Sequence, residues 1–230
     1  MMFDALKEEV CHCYIELAHS GLVTLTWGNV SGIDRQQGIV VIKPSGVPYD
    51  QLEPRSMVVV DLDGNVVEGD LRPSSDTATH LALYRGFAQI GGIAHSHSRC
   101  ATIFAQARRE IPCLGTTHAD QFLGSVPVTR PLAESEVAAD YEGNTGRVVV
   151  ERFAGLDPMA TPAVLVAGHG PFTWGRNAAD SVQNAIALEA VAEMAIGTWL
   201  IDRQATPLES CIVEKHHRRK HGPGAYYGQE

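Results

Sequence analysis

The chain has 230 residues, of which 44% are hydrophobic and 20% are charged. This length is enough for one large domain with a full core, and we predict a single domain over residues 1–230. The formal net charge of −9 argues against a nucleic-acid partner, because nucleic-acid-binding proteins usually carry a positive balance. It does not exclude an anionic substrate, since a local pocket can be positive on an acidic protein.

The cysteines and the hydropathy pattern predict a cytoplasmic protein without a membrane partner. Five scattered cysteines indicate reduced thiols rather than a disulfide framework. Residues 1–10 carry charges too early for a secretory signal peptide. The most apolar stretch, residues 181–201, is interrupted by Gln183, Asn184, Glu189 and Glu193. Those interruptions favour a core helix over a membrane span.

The first half of the chain is predicted to combine two helices with hairpins. Gly21 follows an amphipathic segment as a helix stop, and Asp63-Gly64 is a hairpin signal. Pro73-Ser74-Ser75-Asp76 has the composition of a helix start. We predict a helix over residues 6–20, strands over 23–27, 38–42, 57–61 and 65–68, and a helix from 73 to about 87.

The second half is predicted to return to the same sheet and to end in a long helix. Apolar runs precede both His95 and His169, so each histidine is predicted to lie on or at the end of a strand. A basic and aromatic tail follows. We predict a helix over residues 99–107, short strands near 112, 126–128 and 147–153, and a helix over 178–200. This mixture predicts a mixed sheet covered by helices.

The most informative motif is His95-Ser96-His97. On a strand, side chains two residues apart lie on the same face, so the two imidazoles can hold one metal ion. His169 is a candidate third ligand, and three histidines with one carboxylate suit a zinc-like divalent ion. The alternative is a pair of surface histidines on an edge strand.

Asp76 is the candidate carboxylate, although an acid in the first turn of a helix often serves only to cap it. His80 lies four residues further on the same helical face and is predicted to be structural. A separate loop, residues 115–120, combines a glycine, hydroxyls, an imidazole and a carboxylate, which favours an acid-base segment. The alternative for that loop is a polar turn.

Three short segments have the composition of a phosphate-binding cradle: Trp27-Gly28-Asn29-Val30-Ser31, Ile42-Lys43-Pro44-Ser45-Gly46 and Pro73-Ser74-Ser75. Glycine backbone N–H groups, hydroxyls and a helix N-terminus are the groups that bind a phosphate dianion. Each segment alone is more typical of a turn than of a phosphate site, and it is the presence of three that favours the cradle. The tail adds cations and paired tyrosines; it is either a frayed basic end or a segment that attracts an anionic substrate and supplies a proton.

Together these motifs resemble the class II aldolase/adducin-head family. The similarity extends from about residue 22 to residue 229. Its most specific segments are residues 25–31, 42–47, 73–77, 95–98, 115–120, 169–172, 220–222 and 226–229. So many matches in the same order are far more specific than one short motif.

The resemblance implies a three-layer α/β/α sandwich with a mainly antiparallel central sheet. It implies a homotetramer with active sites at subunit interfaces and a sugar-phosphate substrate. It also implies Zn²⁺, or Mn²⁺ or another divalent cation, with Asp76, His95, His97 and His169 as ligands. The implied phosphate- and substrate-binding residues are Gly28, Asn29, Lys43, Ser45, Gly46, Ser74, Ser75, Thr116 and His216. Asp120 and Tyr227 are the implied acid-base residues, reaching in from a neighbouring subunit.

Within the family, two details favour an epimerase that cleaves and re-forms a carbon–carbon bond. The family's aldolases carry Glu where this chain has Asp76, and they lack its Tyr-Tyr-Gly-Gln ending. One alternative is a class II aldolase acting on another sugar phosphate. The other is a noncatalytic, adducin-like interaction domain, which would have no need of an open metal site.

Overall fold

One seven-stranded sheet forms the centre of the computed structural model, which describes residues 3–221 and 224–226. Its strand order is β4-β3-β2-β1-β5-β7-β6, and each neighbouring pair is antiparallel. The strands are β1 (Gly28–Asp34), β2 (Ile39–Ile42), β3 (Val58–Asp61), β4 (Val66–Glu68), β5 (Gly92–Ser96), β6 (Ala163–Leu165) and β7 (Pro171–Gly175).

Helices cover both faces of this sheet and confirm the predicted three-layer α/β/α sandwich. The helices are α1 (Asp4–His19), α2 (Thr77–Gly86), α3 (Arg99–Ala107), α4 (Thr116–Ala119), α5 (Glu134–Arg152), α6 (Ala178–Ile201) and α7 (Ser210–His221). Helices α1 and α6 pack on one face, whereas α2 and α5 pack on the other. Helix α3 packs against α6 and β6.

The valine-rich strand β2 shows why both faces are apolar. Successive side chains on a strand point to opposite faces. Val41 therefore packs with Val10 of α1 and Val182 of α6, while Val40 packs with Leu81 of α2 on the other side. A central strand that is covered on both faces needs a continuous apolar run rather than an alternating one.

Helix α6 is long and apolar enough to pass a length-and-hydropathy test for a membrane span, the one such helix in the described part of the chain. In the fold it is a core helix, as predicted. Its first half packs on the sheet through Ala178 and Val182, and its second half contacts α3 through Leu188 and Ala192.

Two predicted strands are wrong. Residues 23–27 form a loop and the strand begins only at Gly28; Leu25 and Trp27 in that loop are exposed. Residues 147–153 lie at the end of α5 instead, where Val148 and Val149 are buried. Here the packing of α5 against α2 overrides the strand preference of a valine run.

Smaller differences concern the loops and the tail. The segments near residues 112 and 126–128 contribute only single bridges, in which Ile111 pairs with Val126, and Val128 with Leu165. His169 lies in the turn between β6 and β7 rather than at a strand's end. The tail is not frayed over residues 210–221, because those residues form α7.

Two further histidines, His80 and His118, are buried and hydrogen-bonded away from the His95-Ser96-His97 motif. His80 Nδ1 and the Tyr84 hydroxyl both share a hydrogen bond with Ser31 Oγ, at 2.7 and 2.8 Å. His118 Nε2 donates to the Gly124 carbonyl at 2.8 Å. Burial lowers the pKa of each imidazole to about 4. His80 Nε2 is buried without a hydrogen-bond partner among the described residues, and the structural role of this ring stays a prediction.

We predict that Gly92→Ala destabilises the fold. A Cβ on Gly92 would lie 2.3 Å from backbone atoms of Asn177 and Ala178. Those atoms can move away only if the backbone at the start of α6 shifts. Overpacking of this kind typically costs about 1–3 kcal/mol. Urea unfolding at fixed protein concentration measures the effect. The control is Gly197→Ala in α6, where a Cβ meets open space and the free energy of unfolding should rise by up to about 1 kcal/mol. Equal midpoints for Gly92→Ala and wild type would contradict the prediction.

A second prediction concerns acid stability. The pKa of histidine is about 6.5 in an unfolded chain, so below that pH the unfolded state binds a proton that folded His118 rejects until about pH 4. The free energy of unfolding therefore falls as the pH falls through this window.

Urea unfolding at pH 7 and pH 5 tests this point. His118→Gln, which keeps an N–H donor, should reduce the loss between the two pH values by about 2 kcal/mol. The matched control is the same substitution at His12, on the exposed side of α1, unfolded at the same two pH values. An unchanged loss in His118→Gln would mean that this imidazole does not titrate differently on folding.

Candidate functional site

Three histidines converge where β5 ends beside the turn that joins β6 to β7. His95 lies in β5, His97 follows its last residue, and His169 lies in the turn. The ring centroids are 5.0 Å apart for His95 and His97, 4.9 Å for His95 and His169, and 5.0 Å for His97 and His169. One nitrogen from each ring lies within 4.8 Å of the others.

His95 is the most firmly held of the three. Its Nδ1 donates to the Pro171 carbonyl at 2.8 Å, because a carbonyl can only accept. That bond leaves Nε2 unprotonated in the neutral ring, and Nε2 lies 3.9 Å from Asp76 Oδ2. The ring also stacks on Phe172, with centroids 4.1 Å apart. Proteins commonly orient a metal-binding imidazole in this way, by a hydrogen bond from the ring nitrogen that does not bind the metal.

Asp76 does not cap its helix. Its side chain makes no capping hydrogen bond to the described backbone of α2, and instead Asp76 Oδ2 accepts from Asn29 Nδ2 at 2.6 Å. Burial acts to raise the pKa of Asp76, but the nearby His95 and His80 rings and the Asn29 amide bring it below its ordinary value. The group is therefore a carboxylate directed toward the histidines.

Gly28 allows β1 to approach this group closely. Its φ of +125° favours glycine, and a Cβ there would lie 2.7 Å from the His95 carbonyl oxygen. The ladder then pairs Asn29 with His95, which brings the Asn29 amide beside Asp76.

These donors fit a divalent cation. Burial lowers the pKa of His95 to about 3 and also lowers that of His97 and His169, so all three rings are neutral and able to bind a metal. His169 Nδ1 and Asn29 Oδ1 are buried without a hydrogen-bond partner among the described residues. Three imidazoles and a carboxylate form a donor set typical of zinc and related ions.

The three segments of the predicted phosphate cradle meet beside the histidines. Ser45 N donates to the Arg72 carbonyl and Ser74 N to the Lys43 carbonyl, which joins the second and third segments. Asn29 Nδ2 lies 3.1 Å from Ser74 Oγ and joins the first. Gly46, next to Ser45, has a φ of +69°. The exposed cradle residues are Trp27 in the first segment, Ser45 and Gly46 in the second, and Ser75 in the third.

Lys43 lies under this cradle rather than on its surface. It is 2% exposed, its Nζ donates to the Pro44 carbonyl at 2.9 Å, and it lies 5.1 Å from the centroid of the Tyr14 ring. Burial lowers the pKa of the ammonium to about 8. At neutral pH it remains a cation beneath the loop that carries Ser45.

A second polar group surrounds Asp120 at the end of α4. His216 Nδ1 and Arg219 Nε, both on α7, donate to Asp120 Oδ1 at 2.9 Å each, and Arg219 Nη2 donates to Oδ2. His221 Nε2 donates to the Asp120 carbonyl at 2.8 Å. Burial opposes ionisation, but Arg219 and His216 lower the pKa of Asp120 below its ordinary value.

The structure therefore divides the predicted residues into two groups. Asp120 and His216 are together, with Thr116 in the first turn of α4. No hydrogen bond or ion pair within residues 3–221 and 224–226 joins them to the histidine group. Tyr227 lies outside the described residues; Tyr226, before it, is largely exposed.

The sequence did not assign a role to one residue beside Asp120 or to two aromatic residues beside the histidines. Arg219 holds Asp120 by two hydrogen bonds, and the basic run of the tail was its only signal. Trp27 lies 6.1 Å from the His97 ring and Tyr141 lies 6.4 Å from the His169 ring, measured between centroids. Trp27 belongs to a recognised motif, whereas Tyr141 has no signal in the sequence.

Solved structures with this fold include several sugar-phosphate aldolases. One L-fuculose 1-phosphate aldolase superposes with a TM-score of 0.80 at 25% identity, covering 94% of this chain and 95% of that one. Escherichia coli YgbL, a provisionally assigned aldolase/epimerase/decarboxylase, gives 0.73 at 25% identity, with 94% and 100% coverage. A Thermus thermophilus L-fuculose-1-phosphate aldolase gives 0.66 at 23%, with 88% and 98% coverage, and supports the fold alone.

The family comparison covers the sheet, the histidines and most of the helices. Residues 8–196 match the class II aldolase and adducin N-terminal domain family, a span that includes Asp76, His95, His97, Asp120 and His169. The three converging histidines lie within this matched region. The chain thus belongs to the class II aldolase and adducin N-terminal domain family.

Proposed function

We propose that this protein is a metal-dependent epimerase that interconverts L-ribulose 5-phosphate and D-xylulose 5-phosphate. The observation that carries the proposal is the convergence of His95, His97 and His169 with the Asp76 carboxylate beside a cradle of hydroxyl and amide groups. A noncatalytic interaction domain would gain nothing from gathering one buried and three half-buried metal-binding side chains, since each loses solvation on folding.

His95, His97, His169 and Asp76 would hold the cation, with zinc as the first choice and manganese as an alternative. When bound, such a dication supplies Lewis-acid stabilisation to negative charge that develops on substrate oxygens. The protein's own contribution is to keep the imidazoles neutral by burial and to fix His95 through the Pro171 carbonyl.

The substrate explains why an epimerase needs an aldolase-type site. In a 2-ketopentose phosphate the hydrogen on C4 is not adjacent to the C2 carbonyl, so it is not acidic. Cleavage of the C3–C4 bond instead leaves its electron pair on C3, where it delocalises into an enediolate. The other product, glycolaldehyde phosphate, rotates and presents its opposite face. Re-addition then forms C3–C4 again with inverted C4.

The cradle would hold the phosphate while the aldehyde rotates. Exposed Ser45, Gly46 and Ser75 offer hydroxyl and backbone N–H donors, and Gly28, Asn29 and Ser74 border the same space. The buried Lys43 cation lies beneath and favours a dianion above it. A fragment anchored at its phosphate can turn about its own bonds without leaving.

Proton transfer on the two faces of the aldehyde requires two acid-base groups. We assign these roles to Asp120 and Tyr227, with His216 assisting Asp120 and Thr116 lining the same side. Asp120 is ionised and accepts hydrogen bonds from His216 and Arg219, so it can orient the His216 ring for proton transfer.

We place these groups at the histidine site of a neighbouring copy, in a homotetramer. In support, the described residues contain no hydrogen bond between the Asp120 group and the histidine group. Trp27, whose ring centroid lies 6.1 Å from that of His97, is 51% exposed, and Leu25 two positions earlier is 71% exposed, as expected of a surface that a second subunit covers. The free cysteines fit the cytoplasmic location that we assign.

The product test separates the epimerase from the nearest alternative, a class II aldolase on another sugar phosphate. Purified protein given L-ribulose 5-phosphate should produce D-xylulose 5-phosphate, detected by a coupled assay. A parallel reaction with L-fuculose 1-phosphate is the control. Accumulation of dihydroxyacetone phosphate as the main product there, without epimerisation, would favour the aldolase and overturn the proposal.

Tyr227→Phe should keep its fold and metal content and lose most of the interconversion, by about 100-fold or more, because the phenol proton is removed. Metal analysis and circular dichroism control for misfolding. Turnover at the wild-type rate would remove Tyr227 from the reaction.

Mixing two inactive variants tests whether copies share sites. His97→Asn damages one half of the site and Tyr227→Phe the other, so mixed oligomers should contain some sites with both halves intact. We expect partial recovery of activity after co-refolding, and none when either variant is refolded alone. Failure to recover activity in verified mixed oligomers would contradict shared sites.

A further inference from the structure

The geometry points to Glu189, on α6, as a positioning residue for His97 and His169; this inference rests on the divalent-cation site proposed above. The Glu189 carboxylate accepts from the backbone N–H groups of Cys100 and Ala101, at 2.7 and 3.0 Å. It contributes no nitrogen or oxygen to the histidine group itself.

Glu189 caps the N-terminus of helix α3 in place of a side chain from α3 itself. The first N–H groups of a helix have no partner within it, and a side chain normally satisfies them. Ser98 occupies the capping position of α3, but its side chain makes no capping hydrogen bond in the described structure. A carboxylate from another helix fills this role, and its charge suits the positive end of the helix dipole.

Helix α3 is attached to two of the three histidines. It begins at Arg99, two residues after His97, so its first turn fixes where the His97 backbone leaves the sheet. Near its other end, the Ala105 carbonyl accepts from Gly168 N at 2.8 Å, directly before His169. A displacement of α3 therefore moves the turns that carry both histidines.

These two histidines depend on their turns more than His95 does. His95 lies within the β5 ladder and donates to the Pro171 carbonyl. The ring of His97 makes no hydrogen bond to any described residue, and His169 Nδ1 has no partner there either. The turn of His169 is closed by Val166 N, which donates to the Gly170 carbonyl at 2.9 Å, and the bond from Gly168 N to the Ala105 carbonyl fixes that turn against α3.

Apolar packing alone does not fix the position of α3 along α6. Ala101, Phe104 and Ala105 of α3 meet Leu188 and Ala192 of α6, and such contacts are non-directional. Two hydrogen bonds to one carboxylate are directional and set how far α3 slides toward the site. Glu189 thus supports the ligand turns through the helix rather than by touching the ligands.

The test compares Glu189→Ala and Glu189→Gln with wild type, and uses Glu193→Ala as the matched control. Glu193 lies one turn further along α6 and lines a cleft together with His97 and Glu189, but it accepts no hydrogen bond from α3 within the described residues. Zn²⁺ affinity is measured by competition with a chromophoric chelator. The visible absorption of the Co²⁺-loaded protein reports the geometry around the ion. Both are recorded far below each variant's unfolding temperature.

We expect Glu189→Ala to weaken Zn²⁺ binding by about 10- to 100-fold and to change the Co²⁺ spectrum. Glu189→Gln should lose less affinity, since its carbonyl can accept one of the two bonds, and Glu193→Ala should match wild type. A role confined to folding would lower the unfolding temperature and leave both metal readouts unchanged.

Folded Glu189→Ala with wild-type affinity and spectrum would overturn the inference, as would an equal loss in Glu193→Ala. Should Glu189→Ala fail to fold, Glu189→Gln decides: altered metal readouts support the inference and unaltered ones overturn it. Wild-type protein that binds no dication would overturn the proposed function and this inference with it. Wild-type binding with unaffected Glu189 variants would overturn this inference alone.

Discussion

The position of β5 between β1 and β7 is the constraint on which the candidate site depends. Backbone pairing sets Asn29 opposite His95 on one side and Phe172 opposite His95 on the other. A register slip of one residue would turn every side chain of the strand to the other face and separate His95 from Asp76. The chemistry of the site is therefore fixed first by hydrogen bonds of the main chain, and only then by contacts between side chains.

Burial gives these side chains their chemical state. Desolvation keeps the imidazoles neutral near pH 7, so that their nitrogens stay available, while the pKa of Asp76 lies below its ordinary value and leaves that group a carboxylate. Around Asp120 the balance differs: Arg219 and His216 donate hydrogen bonds to a partly buried carboxylate within the same chain. The histidine group thus offers mainly neutral imidazole nitrogens, whereas the Asp120 group consists of paired charges.

The sequence predicted the parts of this structure that depend on local pattern. The i, i+2 spacing of His95 and His97 indicated a shared face, and the apolar runs located β5 and α6. Prediction from the sequence failed where contacts between residues far apart in the chain determine the structure. The valines near residue 149 resemble a strand but belong to α5 because α2 packs against them. Glu189 and Arg219 act on partners 89 and 99 positions away, and no local pattern carries that information.

The requirement for a dication is the central claim, and removal of that ion tests it most directly. The interconversion of L-ribulose 5-phosphate and D-xylulose 5-phosphate should be followed in protein treated with a chelator, dialysed and analysed for residual metal. We predict that activity falls with metal content and returns when Zn²⁺ or Mn²⁺ is added back. Full activity in protein shown to be free of metal would contradict the proposed role of His95, His97, His169 and Asp76.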